Sequence, residues 1–186
     1  MSMKSLEKYV LSRNVGSGSC LVFLMLMFMP VPGVTADTET RIVGWIEKVA
    51  LEEGLTVHAK IDTGAKHSSL NMGKHEFFKL KGKPWIRFTM TNREGKAITM
   101  ERQIVRYAKV KRKGSRSQVR PVVKLAYCLD TVSKTVQVTL TDRSNFDYQM
   151  LVGRSFLRND FLVDSSKKYT TEPQCATKQQ LVPITP

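Results

Sequence analysis

The chain has 186 residues, 41% hydrophobic and 25% charged, and its 30 Lys and Arg against 16 Asp and Glu give a formal charge of +14. That length allows one modest domain and excludes an array of them. The basic balance points to acidic peptides or anionic surfaces; nucleic acid is not expected as a partner, because no reading motif or interleaved aromatics accompany the cations.

In chain order, the first 36 residues are laid out as an export signal. Lys4, Lys8 and Arg13 form a basic n-region, Cys20 to Met29 an apolar core, and Val34-Thr35-Ala36 puts a small residue before a cut. An apolar run of about ten residues is too short to span a bilayer, so membrane contact is expected only through an uncleaved signal. Cleavage near Ala36 would leave 150 periplasmic or secreted residues with 27 cations and 15 anions. Cys128 and Cys175 both remain, and an oxidising compartment permits a disulfide between them. Two free thiols are the alternative.

Beyond the signal the chain reads as strands separated by polar turns. Ile42 to Val49 and Leu55 to Ile61 flank Glu52-Glu53-Gly54, and Trp85 to Met90 and Ala97 to Met100 flank a turn from Thr91 to Lys96. Ile104 to Val110 and Val119 to Cys128 flank a basic turn, Lys111 to Ser117, and Thr135 to Leu140 alternates with a period of two. One short helix is predicted from Arg154 to Asp160. Trp45 and Trp85 are expected in the core. The pattern predicts an all-β domain over 37–172, a small closed barrel with one short C-terminal helix, followed by an irregular tail over 173–186.

Two motifs carry chemistry. Ile61-Asp62-Thr63-Gly64-Ala65 ends an apolar strand in a tight turn that presents a carboxylate. About ninety residues later comes Leu151-Val152-Gly153-Arg154. A lone Asp-Thr-Gly is also an ordinary turn. The two in this order and at this separation resemble the active-site frame of retropepsin-like aspartic proteases. Gly44-Trp45-Ile46-Glu47, Ser68-Ser69-Leu70, Arg120-Pro121-Val122-Val123, Leu140-Thr141-Asp142-Arg143 and Phe161-Leu162-Val163-Asp164 extend the likeness. Over roughly residues 42 to 172 the chain resembles a bacterial family of retropepsin-like proteins. Some members are associated with the ribosomal-protein modification ligase system, and many carry the label "ATP-dependent zinc protease".

The resemblance implies an aspartic endopeptidase. Asp62 would be the acid–base, Thr63 would bond across a subunit interface, and Gly64 would permit the tight backbone. Ala65, Gly153 and Arg154 would frame the site. Hydrolysis needs one carboxyl to take a proton from water while another protonates the carbonyl oxygen, and two carboxyls about 3 Å apart share one proton to do so. A chain with one Asp-Thr-Gly, too short for two lobes, must borrow its second carboxylate from a second copy. A homodimer acting on a peptide or protein substrate is therefore expected.

The covering flap would be the hairpin from Val105 to Val123. Its tip, Arg112, Lys113, Gly114, Ser115 and Arg116, would meet an acidic peptide. A catalytically inactive barrel that binds peptides or cell-envelope polymers is the alternative. Where viral retropepsins commonly place an acid after the motif, this chain has Lys66 and His67. Arg154 is thus expected to pair with Asp142 or Asp164, and activity turns on whether Lys66 tolerates a shared proton. There is no Gly-rich phosphate loop and no His-Glu-x-x-His helix, and His58, His67 and His75 have no ligand spacing, so neither metal nor cofactor is expected.

Overall fold

The computed structural model describes residues 39–112 and 115–175, with side chains except over 111–116. The signal-like segment, the tip residues Lys113 and Gly114, and the tail beyond 175 lie outside the described residues, as do the side chains of Arg112, Ser115 and Arg116.

Among the described residues eleven strands and one helical turn follow in order: β1 (Arg41–Gly44), β2 (Ile46–Leu51), β3 (Thr56–Asp62), β4 (Ser68–Asn71), β5 (His75–Leu80), β6 (Lys83–Thr91), β7 (Ala97–Arg112), β8 (Ser115–Leu129), β9 (Val132–Thr141), β10 (Met150–Gly153), α1 (Arg154–Leu157) and β11 (Phe161–Asp164). The main sheet runs β2-β3-β10-β4-β9-β8-β7-β6-β5. Pairing of Ala50 with Cys128 and Leu51 with Tyr127 joins β2 to β8 and closes its first six strands into a ring. β7, β6 and β5 leave that ring as an extension. A separate parallel pair joins β1 to β11. The described residues form an all-β barrel with one helical turn.

Alternation explains the ring. In β3, Val57, Ala59 and Ile61 point into the core while Lys60 faces out. Leu125 and Tyr127 of β8, Val138 and Leu140 of β9, and Val152 of β10 meet them there. Phe156 of α1 stacks on Tyr127 with centroids 4.2 Å apart and seals one end. Removing a side chain of this size from such a core costs about 3–5 kcal/mol.

Several expected elements change on folding. Ile42 to Val49 is two strands, because at Trp45 the chain leaves β11 for β3: the Trp45 amide donates to the Lys167 carbonyl, and its own carbonyl accepts from Ile61. Ala97 to Met100 and Ile104 to Val110 are one strand, β7, which pairs first with β6 and then with β8. The helix stops at Leu157, since Asn159 turns left-handed (φ 73°) and redirects the chain into β11.

Neither Trp45 nor Trp85 is a core residue. Ile86, Phe88 and Met90 occupy the buried face of β6, so Trp85 lies half-buried on the other face against Phe78. Trp45 turns to a cavity described below. The reading missed β4, whose polar Ser-Ser-Leu-Asn is wholly buried, and β5, of which nothing is buried.

The segment after β11 has no regular structure, yet it is tied down. Glu47, fully buried, accepts hydrogen bonds from the amides of Gly44 (2.6 Å), Thr170 (3.0 Å) and Thr171 (3.2 Å) and from the Thr170 hydroxyl (2.5 Å). The Tyr169 amide donates to the Ile46 carbonyl and the Gln174 amide to that of Asp130. A disulfide between Cys128 and Cys175, with Cα atoms 6.0 Å apart, fastens the end.

Candidate active site

Asp62 is the last residue of β3, and the parallel pairing with β10 sets Gly153 beside it. Its Oδ1 accepts the amides of Gly64 and Ala65, both at 3.1 Å. Two N–H donors thus hold one carboxylate oxygen. A Cβ on Gly64 would approach Oδ1 to 3.3 Å, so glycine keeps that turn close without crowding it.

The turn is bolted to the start of α1. Arg154 donates from Nη1 to the carbonyls of Thr63 (2.8 Å) and Gly64 (2.7 Å), and its amide donates to that of Ala65 (2.9 Å). The expected pairing of Arg154 with Asp142 or Asp164 is therefore corrected. Those carboxylates are held locally, Asp142 by the Ser144 amide and Asp164 by Ser166 and Lys167. The Ser166 hydroxyl and amide, with Lys167, depress the Asp164 carboxyl to about 2.

Gly153 permits the other close approach. A Cβ there would meet the His67 carbonyl carbon at 2.6 Å. The Gly153 amide donates to Ser68 Oγ (3.0 Å), which in turn bonds the Tyr127 hydroxyl (2.7 Å), all buried. Burial raises the Tyr127 phenol well above its ordinary range, so it stays a neutral partner.

A cavity of about 570 Å³ opens beside Asp62, lined by Trp45, Lys60, Arg143, Phe146 and Tyr148 among others. Arg143, lining that cavity, is 7% exposed; its Nε donates to the Tyr148 carbonyl (3.0 Å) and its guanidinium lies over the Phe146 ring at 4.6 Å. Burial and the nearby Arg120 lower its proton affinity while Asp62 raises it. It remains a cation, since a guanidinium does not deprotonate in proteins.

From β7, Arg106 reaches His67 (Nη2 to Nε2, 3.4 Å). Burial, then Arg106 and Lys66, lower the His67 imidazole below its ordinary value. Sequence reasoning passed over Lys60, Arg106 and Arg143 as site residues. Arg143 stands in the Leu140–Arg143 string, but only the barrel brings it to one cavity with Lys60 and Asp62.

The structure thus gathers Asp62, Thr63, Gly64, Ala65, Gly153 and Arg154 in one place. Cys128 and Cys175 are not part of that group; their disulfide fastens the C-terminal segment to β8. The zinc in the family's label does not fit: among the described residues no three His, Cys, Asp or Glu side chains converge, and His67 faces a guanidinium.

A closed barrel whose Asp-Thr-Gly turn is tied to a Gly-Arg string defines a retropepsin-like protein. The chain belongs to the RimB-like family: residues 42–174 match the model described as retropepsin-like aspartic endopeptidase RimB. A crystal structure of a protein of unknown function from Legionella pneumophila is similar, at 34% identity and a TM-score of 0.61 over 70% of this chain and 98% of that one. Two proteins named probable alpha-L-glutamate ligase are also similar. The one from Shewanella pealeana is 30% identical over 116 residues, 61% of this chain and 25% of that protein. The one from Shewanella halifaxensis is 28% identical over the same shares. The chain thus spans about a quarter of the length of the curated relatives it matches.

Proposed function

We propose that this protein is an aspartic endopeptidase that works as a homodimer and cleaves acidic peptides. The observation that carries the reading is Asp62, one oxygen held by the Gly64 and Ala65 amides, in a residue that lines a cavity. One such carboxylate is half of an acid–base pair. Asp62 of a second copy is the other half, with one proton shared between them.

The face around Thr63 supports the dimer. Thr63 is exposed, Ile42 and Leu162 pair across β1 and β11 at 58% and 61% exposure, and a cavity of about 390 Å³ beside them is lined by Thr63, Leu157 and Phe161. A second copy would cover that apolar ground. The disulfide supports the exported reading, as an oxidising compartment maintains such bonds.

Substrate choice rests on charge. Lys60 and Arg143 line the cavity at Asp62 and Arg106 reaches the same loop from β7, so a glutamate or aspartate side chain would find a buried cation there. The similarity to longer proteins named as glutamate ligases points the same way. The test is cleavage of a peptide library by wild type and Asp62→Asn. Wild type should cut beside acidic residues, with a rate that falls faster than linearly on dilution; Asp62→Asn should be inactive yet dimeric. Cleavage surviving in Asp62→Asn would sink the proposal, and binding of acidic peptides without cleavage at any pH would leave a binding module.

A further inference from the structure

The hairpin of β5 and β6 lies outside the barrel ring. β5 is the free edge of the sheet, bonded to β6 alone, and none of its side chains is buried. Leu80 pairs with Lys83, leaving Lys81 (φ 50°) and Gly82 (φ 75°) as the turn. Two left-handed residues make a type I′ turn, which favours Asn, Asp or Gly at its first position. Turn geometry therefore does not account for a lysine at 81.

Charge and apolar surface coincide at this tip. Lys79, Lys81 and Lys83 are exposed and form no ion pair among the described residues, while Glu76 and Glu101 are both taken by Arg87. Among these cations stand Leu80, 45% exposed, and Phe77, 52% exposed. Three residues of strand separate the two, roughly 10 Å and on opposite faces, so one bilayer meets both only when the hairpin approaches tip first. Phe78 and Trp85 pack on each other and Arg87 covers Phe78, so Phe77, met edge-on by His75, is the one aromatic of β5 left to stack on a base, short of the successive platforms that single strands use.

We propose that this tip docks on an anionic lipid bilayer, the lysines among the phosphates and Leu80 and Phe77 in the acyl boundary. The sign of the charge selects the surface, and exposed apolar groups ringed by cations suit a boundary with water on one side and hydrocarbon on the other.

The full chain carries two tryptophans, so in a Trp45→Phe background Trp85 alone reports, independently of the first 36 residues. Bilayers with bromine-labelled acyl chains should quench Trp85 when made with phosphatidylglycerol and not with phosphatidylcholine alone, and salt should abolish the effect. Lys81→Asn suits the turn better than lysine, so it should melt no lower than its parent yet partition about fivefold more weakly. The triple variant Lys79→Glu, Lys81→Glu, Lys83→Glu should show no quenching. Equal quenching in phosphatidylcholine, or undiminished quenching in the triple variant, would overturn the proposal. So would an absence of quenching while an acidic peptide or oligonucleotide binds the hairpin.

Discussion

Gly153 is the register partner of Asp62, and the space its side chain would fill already holds the His67 carbonyl, 2.7 Å from an ideal Cβ. The carboxylate-bearing strand and the Gly-Arg strand can lie side by side only because one residue of the pair has no side chain. Backbone on both sides makes this contact unyielding. At Gly64 the neighbour is the Asp62 carboxylate itself, which can rotate.

Gly153→Ala should therefore destabilise by about 1–3 kcal/mol through overpacking, read as a lower urea midpoint with unchanged slope. Gly64→Ala should unfold within about 1 kcal/mol of wild type. Equal losses for the two would mean that close approach is not what selects glycine at 153.

Glu47→Ala should cost roughly 3 kcal/mol, because the amides of Gly44, Thr170 and Thr171 lose a charged acceptor together. Glu47→Gln keeps an acceptor and should cost less. Hydrogen exchange at Thr170 and Thr171 checks this directly: both amides should exchange faster in Glu47→Ala, while that of Leu125 should change only with global stability.

The disulfide spans a separation of 47 residues, for which the chain-entropy relation gives about 4 kcal/mol. Cys128→Ser with Cys175→Ser, or reduction, should lower the free energy of unfolding by that order in a denaturant titration. A loss under about 1 kcal/mol would show that the Glu47 contacts hold the segment unaided.

Acid should weaken the fold through two histidines. Burial is the first cause that lowers both His67 and His58, aided by Arg106 and Lys66 at the one and by Arg93 at the other, although Glu94 opposes it at His58. With folded values below the ordinary 6.5, the unfolded chain takes up protons first as pH falls. Their effect is nil well above 6.5 and grows as a loss of stability below it, levelling off under the folded value. The drop in melting temperature between pH 7.5 and pH 5 should be smaller in His67→Gln than in wild type. An unchanged drop in both His67→Gln and His58→Gln would remove histidine as the cause.

Most strands were legible because apolar, β-branched runs between turn residues mark them, and the alternation along β3 and β6 matches a buried face. The Asp62 and Gly153 motifs were legible for a related reason: a tight turn and a close backbone approach each demand particular residues locally. β4 was not legible, since buried Ser68 and Asn71 look like loop and meet partners far along the chain, the Tyr127 hydroxyl and the Arg143 amide. Nor was the role of Arg154, which finds two carbonyls instead of the expected carboxylate. The same holds for the cations at Asp62: Lys60 and Arg143 are 83 positions apart in the chain, and they line one cavity because the barrel brings the end of β3 and the segment after β9 to the same side. Local order records what each strand must bury, whereas which charges end up as neighbours depends on strand order around the ring, a long-range property that no short stretch of residues carries.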